Sequence, residues 1–279
     1  MGVWFTVFFL APLVIIFAYS FMQKGLYGGV EPRFSLAAFR SMFNSRYGII
    51  LLRTLEMSLI ATAVSVLTAL PCGYAMARST HQTLLLILVI IPFWTNSLIR
   101  IFAWITILGN DGVINKLLLH FGIIKDYLRL LYNKQAVILV SIYMYLPYAI
   151  LPIFTAIDRF DFSLLEAGRD LGATKFTAMR KVLLPNIKSG VITAVIFTFI
   201  PIFGSYTVPL ILGDQESSMV IGTLIAYQVN TTRNWPFAAA FSLIITAVST
   251  MGVLWMMASS REESSSNSAK NNVREGENG

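Results

Sequence analysis

The chain has 279 residues, 56% of them hydrophobic and only 13% charged, with a formal net charge of +7. One globular core cannot hide that much apolar surface from water, so a soluble enzyme, a disordered chain and a secreted disulfide scaffold are excluded. The apolar residues fall in long runs, which leaves an all-α polytopic membrane protein whose Lys and Arg residues serve loops rather than nucleic acid. The one cysteine, Cys72, lies inside an apolar run and has no partner for an intrachain disulfide or a zinc set.

Six spans are predicted, each long enough at 1.5 Å per residue to cross a hydrocarbon core about 30 Å thick. The first, Val3–Met22, has neither a charged n-region nor an A-x-A cleavage site and reads as a retained span, with an external loop to about residue 50. The second, Leu55–Met76, carries Ala61, Ser65, Ala69 and Gly73 every four residues, a small-residue face for close helix approach, within one bundle or between subunits. Three spans contain helix breakers: Leu84–Leu108 has Pro92 and the run Thr95-Asn96-Ser97, Gln135–Ile157 has Pro147 and Pro152, and Gly190–Leu212 has Pro201, Gly204, Ser205 and Pro209. The sixth is Phe237–Ala258. Proline removes an N–H and kinks a helix, and the freed backbone groups need protein or a water-lined cavity as partners. A single kink carries little meaning, but three interrupted spans together predict a movable translocation path. Its candidate lining residues are Trp94, Thr95, Asn96, Trp104, Phe203 and Tyr206, because aromatic faces hold a passing cation at about 0.5–2 kcal/mol each without trapping it. For any one of these aromatics, packing or lipid contact is the plainer alternative. Arg100, the one charge deep within a span, has two open roles: snorkelling anchor or pathway residue. Residues 259–279 are rich in Ser, Asn and Glu and are expected to be a disordered tail.

Residues 158–189 form the most informative segment. Ser163-Leu164-Leu165-Glu166 reads as a capping box, followed by an apolar or small stripe at Leu164, Ala167, Gly168 and Leu171. Gly172 fits a helix C′ position, and Thr174 a cap for a second helix carrying Phe176, Met179 and Leu183 on one face, ended by Pro185. A helix–turn–helix with an exposed apolar stripe suits either docking into a partner groove or resting on lipid headgroups.

Glu166-Ala167-Gly168, Gly172 and Leu184-Pro185 resemble the E-A-A…G…L-P loop of bacterial ABC-importer permeases of the type I fold, with Gly168 where that family carries alanine. Ile91–Ile101, Leu165–Lys175 and Arg233-Asn234-Trp235-Pro236-Phe237 further resemble the first permease subunit of spermidine/putrescine importers, over nearly the whole chain up to Ala258. The resemblance implies a five-helix permease core at 51–258. Its docking loop at 158–189 would offer Glu166, Ala167, Gly168, Arg169, Asp170, Gly172, Ala173, Leu184 and Pro185 to an ATPase. It also implies two copies of that cytoplasmic ATPase, a second permease as heterodimer partner, an extracytoplasmic polyamine-binding protein, and a place in the bacterial plasma membrane with both termini inside. Charge alone leaves the orientation tied, with ten basic residues on each side if the N-terminus is inside.

The chain contains no G-x-x-x-x-G-K-[ST] and no H-E-x-x-H, and its two histidines, His81 and His120, stand in loops without a metal-ligand set. It is expected to be no enzyme and to need no cofactor. Polyamine import by alternating access is the leading reading. Import of an anion, which Arg100 would favour, or of a small cofactor, and ATP-independent secondary transport are the alternatives.

Overall fold

The computed structural model describes residues 2–214, 216–252 and 254, in two compact units. The predicted tail at 259–279 and the last residues of the predicted sixth span lie outside the described residues.

One unit contains the chain up to Asn44 and from Ile225 onward. Helix α1 (Gly2–Ser20) is apolar throughout and leads into an antiparallel hairpin of β1 (Met22–Lys24) and β2 (Val30–Phe34). Phe21 stacks on Phe34 and tilts against Phe39 of the short α2 (Ala37–Met42), which folds the hairpin onto that helix. The Gly29 N–H donates to the Arg233 carbonyl at 2.9 Å, tying the hairpin turn to the segment before the helix Trp235–Gly252.

The other unit, Ser45–Leu224, is built around three helices. Helix α3 (Ser45–Ala77) is 33 residues long, about 50 Å, and starts ten residues before the predicted span. After α4 (Gln82–Trp94), α5 (Ser97–Leu108) and α6 (Val113–His120) comes α7 (Lys134–Asp158). The predicted small stripe faces inward: Ala61, Ser65 and Ala69 are fully buried, and Gly73 is buried beside them. A Cβ on Gly73 would lie 3.0 Å from Ile153 Cγ2 and 3.2 Å from the Phe154 nitrogen, so α3 and α7 approach to backbone distance. Helix α11, Lys188–Phe203, follows α8 (Ser163–Asp170), α9 (Lys175–Ala178), a π-helical turn at Met179–Leu183 and α10 (Leu184–Asn186). It meets α7 in the same way, since a Cβ on Gly190 would overlap the Ala156 Cβ. Tight packing within one bundle therefore accounts for the stripe.

The predicted third and fifth spans are each two helices. Between α4 and α5, the Thr95 hydroxyl donates to the Pro92 carbonyl at 2.6 Å, and Asn96 Oδ1 accepts from the Leu98 N–H at 2.8 Å as the cap of α5. Gly204–Tyr206 separates α11 from α12 (Thr207–Leu212), and α11 is bent by 73° from Lys175–Asn186. The expected third interruption is absent: α7 runs unbroken through Pro147 and Pro152, packed against both α3 and α11. The missing N–H groups of two prolines do not break a helix whose neighbours hold it on two sides. Helix α13 (Ile221–Asn230) is pinned at its start by Thr54 of α3, whose hydroxyl accepts from the Ile221 N–H at 3.0 Å and donates to the Ile50 carbonyl at 2.7 Å.

Four described helical stretches are long and apolar enough to cross a membrane: α3, Ser97–His120, α7 and α14 (Trp235–Gly252). The bent pair Lys175–Asn186 and Lys188–Phe203 adds a fifth, and α1 and α4 are shorter apolar helices, an arrangement compatible with six spans.

Gly190→Ala is expected to destabilise the fold by about 1–3 kcal/mol through overpacking, because the Ala156 Cβ it meets is fixed to the α7 backbone. Gly73→Ala should cost less, since its nearest contact, Ile153 Cγ2, lies at 3.0 Å and needs a shift of only a few tenths of an ångström, whereas a Cβ at Gly190 would overlap that of Ala156. Thermal unfolding in one detergent orders the two variants; equal midpoints for both and the parent chain would contradict the close approach.

Candidate functional site

The segment between α7 and α11 folds as the helix–turn–helix its sequence predicts, with one difference at its start. Ser163 does not cap α8. Phe162 already has helical dihedrals, Ser163 is the first helical residue and its side chain makes no capping bond. Asp161 starts the helix instead: its Oδ1 accepts from the Ser163 N–H at 2.9 Å in an Asx-type turn. A carboxylate is the stronger acceptor, which is why it displaces the serine cap. Hydrogen bonding from Ser163 also holds the Asp161 carboxyl below its ordinary range.

The C-terminal end of α8 closes as a Schellman turn. The Gly172 N–H donates to the Arg169 carbonyl (2.9 Å) and the Ala173 N–H to the Gly168 carbonyl (3.1 Å), with Gly172 at φ +88°. Thr174 Oγ1 then accepts from the Thr177 N–H, capping α9 as predicted. The predicted common face of Phe176, Met179 and Leu183 does not form. Ala178 and Leu183 are the buried pair, while Phe176 is 74% exposed. The π-helical turn at Met179–Leu183 is the reason, because residues five apart come to one side where i→i+5 bonding replaces i→i+4.

This elbow is firmly seated at its base. Leu165, Ala178, Leu183 and Ile187 join a buried cluster with Met76 of α3, Ile153, Phe154 and Ile157 of α7, and Ala194 of α11. What it turns outward is apolar: Leu164 is half-exposed, Ala167 exposed and Leu171 90% exposed. Beside this stripe lies an open concavity of about 590 Å³ lined by Glu166, Arg169, Asp170, Gly172, Ala173 and Thr174. The structure thus brings together Glu166 through Asp170, Gly172 and Ala173. Leu184 and Pro185 stand apart, at the start of α10 just before the 73° bend, where proline in the first turn is pre-organised for helix.

Three residues at the same end were not singled out from the sequence. Arg78, just past α3, donates through Nη1 to the Tyr74 hydroxyl at 3.2 Å. Its guanidinium carbon lies 5.4 Å from the centre of the Phe162 ring, and Tyr74 and Phe162 meet edge to face at 6.2 Å. Their only sequence signal is an aromatic directly before α8 and an Arg–Tyr pair four apart at a helix end.

The pathway candidates fall mainly at the two helix breaks. Trp94 is 86% exposed at the end of α4, with Thr95 and Asn96 holding the break after it. Tyr206 is half-exposed between α11 and α12, and Phe203 is buried and stacked on Phe199. Trp104 packs edge-on against Tyr143 at 5.3 Å. Arg100 turns back across the α4–α5 break, its guanidinium 5.5 Å from the centre of Phe93, which in turn meets Tyr148. Glu56 pairs with Lys134 at 2.5 Å, joining α3 to the first residue of α7.

The elbow's geometry sets the cost of changes at its two glycines and at its cap. Gly172→Val is expected to cost about 1–2 kcal/mol from its left-handed backbone alone, because nothing lies within 4 Å of the added Cβ. Gly168→Ala, whose Cβ meets Val182 at an ordinary 3.6 Å, should stabilise α8 by about 0.5–1 kcal/mol. Asp161→Ala is expected to speed amide hydrogen exchange across α8 and Ser163→Ala to leave it unchanged; the reverse pattern would restore the serine cap. The Asp161 contribution is present above the ordinary carboxylate pKa of about 3.9 and is lost as pH falls through its lowered folded value, so the difference between Asp161→Ala and the parent chain should vanish in strong acid.

Residues 66–261 match the family model described as "Binding-protein-dependent transport system inner membrane component". The chain is 33% identical over 256 residues to the spermidine/putrescine transport system permease protein PotB of Escherichia coli K12, covering 91% of this chain and 92% of that one. It is 34% identical over 247 residues to PotB of Haemophilus influenzae, covering 88% and 86%, and 34% identical over 230 residues to the inner membrane ABC transporter permease protein YdcU of E. coli K12, covering 77% and 72%. Among solved structures it resembles chains of a bacterial ABC transporter that imports the acidic polysaccharide alginate, at TM-scores of 0.72 and 0.76 over 93% of its length, with 19% and 17% identity, a likeness of fold. A mostly helical chain with one short β-hairpin, several membrane-length helices, an exposed elbow between two of them and a family match over most of its length belongs to the inner-membrane permease subunits of binding-protein-dependent ABC importers.

Proposed function

We propose that this chain is a polyamine permease, passing spermidine or putrescine across the bacterial plasma membrane by alternating access. Identity of 33–34% over about nine-tenths of the chain to permeases named for those substrates carries the reading. The chain is itself no enzyme; as an ABC-importer permease it works with an ATPase and a substrate-binding protein. In the proposed assembly it pairs with a second permease over two ATPase copies, with the binding protein on the far side and both termini on the ATPase side.

The exposed face of Leu164, Ala167 and Leu171, with Glu166, Gly168, Arg169, Asp170, Gly172 and Ala173 around it, is the surface offered to the ATPase. It suits that role because the base of the same elbow is buried with α3, α7 and α11. A push on α8 or α9 therefore moves a packed block rather than a loose loop, as rigid-body switching requires. Leu184 and Pro185 set the bend through which the push enters α11. The breaks at Thr95–Asn96 and Gly204–Tyr206 are the points where the cargo route changes shape. Trp94, Trp104 and Tyr206 offer ring faces to a polycation, with Phe203 packed behind the second break, and Thr95 and Asn96 offer oxygen acceptors. Cation–π contacts of about 0.5–2 kcal/mol let the cargo pass, while tight selection belongs to the binding protein.

ATP-driven uptake into vesicles holding the complete complex tests the reading. Spermidine and putrescine are expected to compete for uptake and sulfate to have no effect; competition by sulfate alone would assign an anion as cargo. Leu171→Glu is expected to lower uptake at least tenfold while the chain still inserts and folds, and unchanged uptake would remove the docking role. Trp94→Ala should raise the half-saturating polyamine concentration by roughly two- to thirtyfold, the equivalent of one cation–π contact.

A further inference from the structure

The outer face of α8 is well suited to a partner, and a single buried side chain of its own seats the helix on the base that the elbow shares with α3, α7 and α11. Of its eight residues, Leu165 is the one buried. Hydrophobic contact is non-directional, so one leucine does not fix the angle at which α8 leaves the bundle. That angle is fixed one residue before the helix begins. The Phe162 carbonyl accepts from both the Leu165 N–H (3.0 Å) and the Glu166 N–H (3.3 Å), so the Phe162 backbone is the first turn of α8.

The Phe162 ring is meanwhile held from several sides. Tyr74 meets it edge to face, Phe160 meets it at 5.6 Å and 88°, and the Arg78 guanidinium lies over it at 5.4 Å. The Tyr74 hydroxyl, accepting from Arg78 Nη1, fixes where the guanidinium stands. Tyr74 lies in the last turn of α3 and Arg78 directly after it. These contacts join the end of the longest helix to the first turn of the docking helix, across more than 80 residues of sequence. Unlike the leucine contact, they have direction: a ring face, a ring edge and a donor–acceptor line each resist rotation.

Resting on the docking role proposed above, we infer that Arg78 and Phe162, with Tyr74 as the hydroxyl that aims Arg78, form a clasp that makes α8 and α3 move together, so that ATPase motion reaches α3 as well as α11. Arg78 and Phe162 are positioning residues here; neither touches cargo or nucleotide.

The test uses the complete transporter in vesicles and reads polyamine taken up per ATP hydrolysed. Arg78→Gln and Phe162→Leu are each expected to lower that ratio by roughly two- to thirtyfold, the range for residues that carry coupling between sites. The double variant should be no worse than the worse single, because both remove one link. Arg78→Lys, which keeps a cation over the ring, should recover part of the ratio. A merely structural role would reduce uptake and ATP turnover in proportion, leaving the ratio unchanged, and that result overturns the clasp. Should Phe162→Leu fail to fold, the ratio measured for the exposed Arg78→Gln is decisive alone. Crosslinking from Leu171→Cys in the otherwise unaltered complex separates the two levels. A crosslink to the ATPase with an unchanged ratio in Arg78→Gln removes the clasp and leaves docking intact. No crosslink removes docking, and the clasp with it.

Discussion

Backbone-to-backbone approach of α3, α7 and α11 is the constraint on which the rest of this structure depends. Within lipid, helices gain nothing by hiding apolar side chains from their neighbours, so association rests on close van der Waals packing. Here the approach is possible only where side chains are missing or minimal: Ala61, Ala69 and Gly73 on α3, and Gly190 on α11 against Ala156 on α7. The three helices consequently behave as one block, and the less tightly held elements hang from it. Helix α4, half of the broken third span, has no buried residue, whereas α11, half of the broken fifth, is part of the block itself.

The elbow acquires its mechanical character from that block. Its turn is made locally, by Gly172 and Thr174, and its base is fixed globally, by Leu165, Ala178, Leu183 and Ile187 in the shared core. An exposed face on a buried foot is what a lever needs: compliance at the foot would dissipate a push before it reached the spans. The 73° bend after Asn186 redirects the elbow into α11, and Gly190, three residues into that helix, brings α11 hard against α7 at once. Docking surface, bend and packed helix thus follow one another within about 30 residues.

The two helix breaks have a different physical origin. At Thr95–Asn96, a side-chain hydroxyl donates to the Pro92 carbonyl and a side-chain amide oxygen accepts from the Leu98 N–H, two backbone groups that the break sets free. Arg100, reaching back to Phe93, spans the same break with a cation–π contact. Such a joint is held by a few directional contacts and little buried area, the composition of an element that changes conformation.

The sequence by itself determined whatever depends on composition or on a few adjacent residues. The membrane class follows from the long apolar runs, the inward face of α3 from a four-residue spacing of small side chains, and the elbow's turn from a glycine free to take positive φ beside a threonine able to cap. The Thr95–Asn96 break follows from proline with polar neighbours. Tertiary structure decided what depends on competition or on distant partners. Asp161 outcompeted Ser163 as the cap because a carboxylate two residues before the helix binds its N–H more strongly, and a capping-box pattern does not weigh that rival. A π-helical turn put Ala178 and Leu183 inside and left Phe176 out, a register that a 3.6-residue period misassigns. Helix α7 stayed whole through two prolines because neighbours on two sides hold it. Tyr74, Arg78 and Phe162 meet only because α3 and α7 are already packed, and no local pattern carries a contact that the fold must first create.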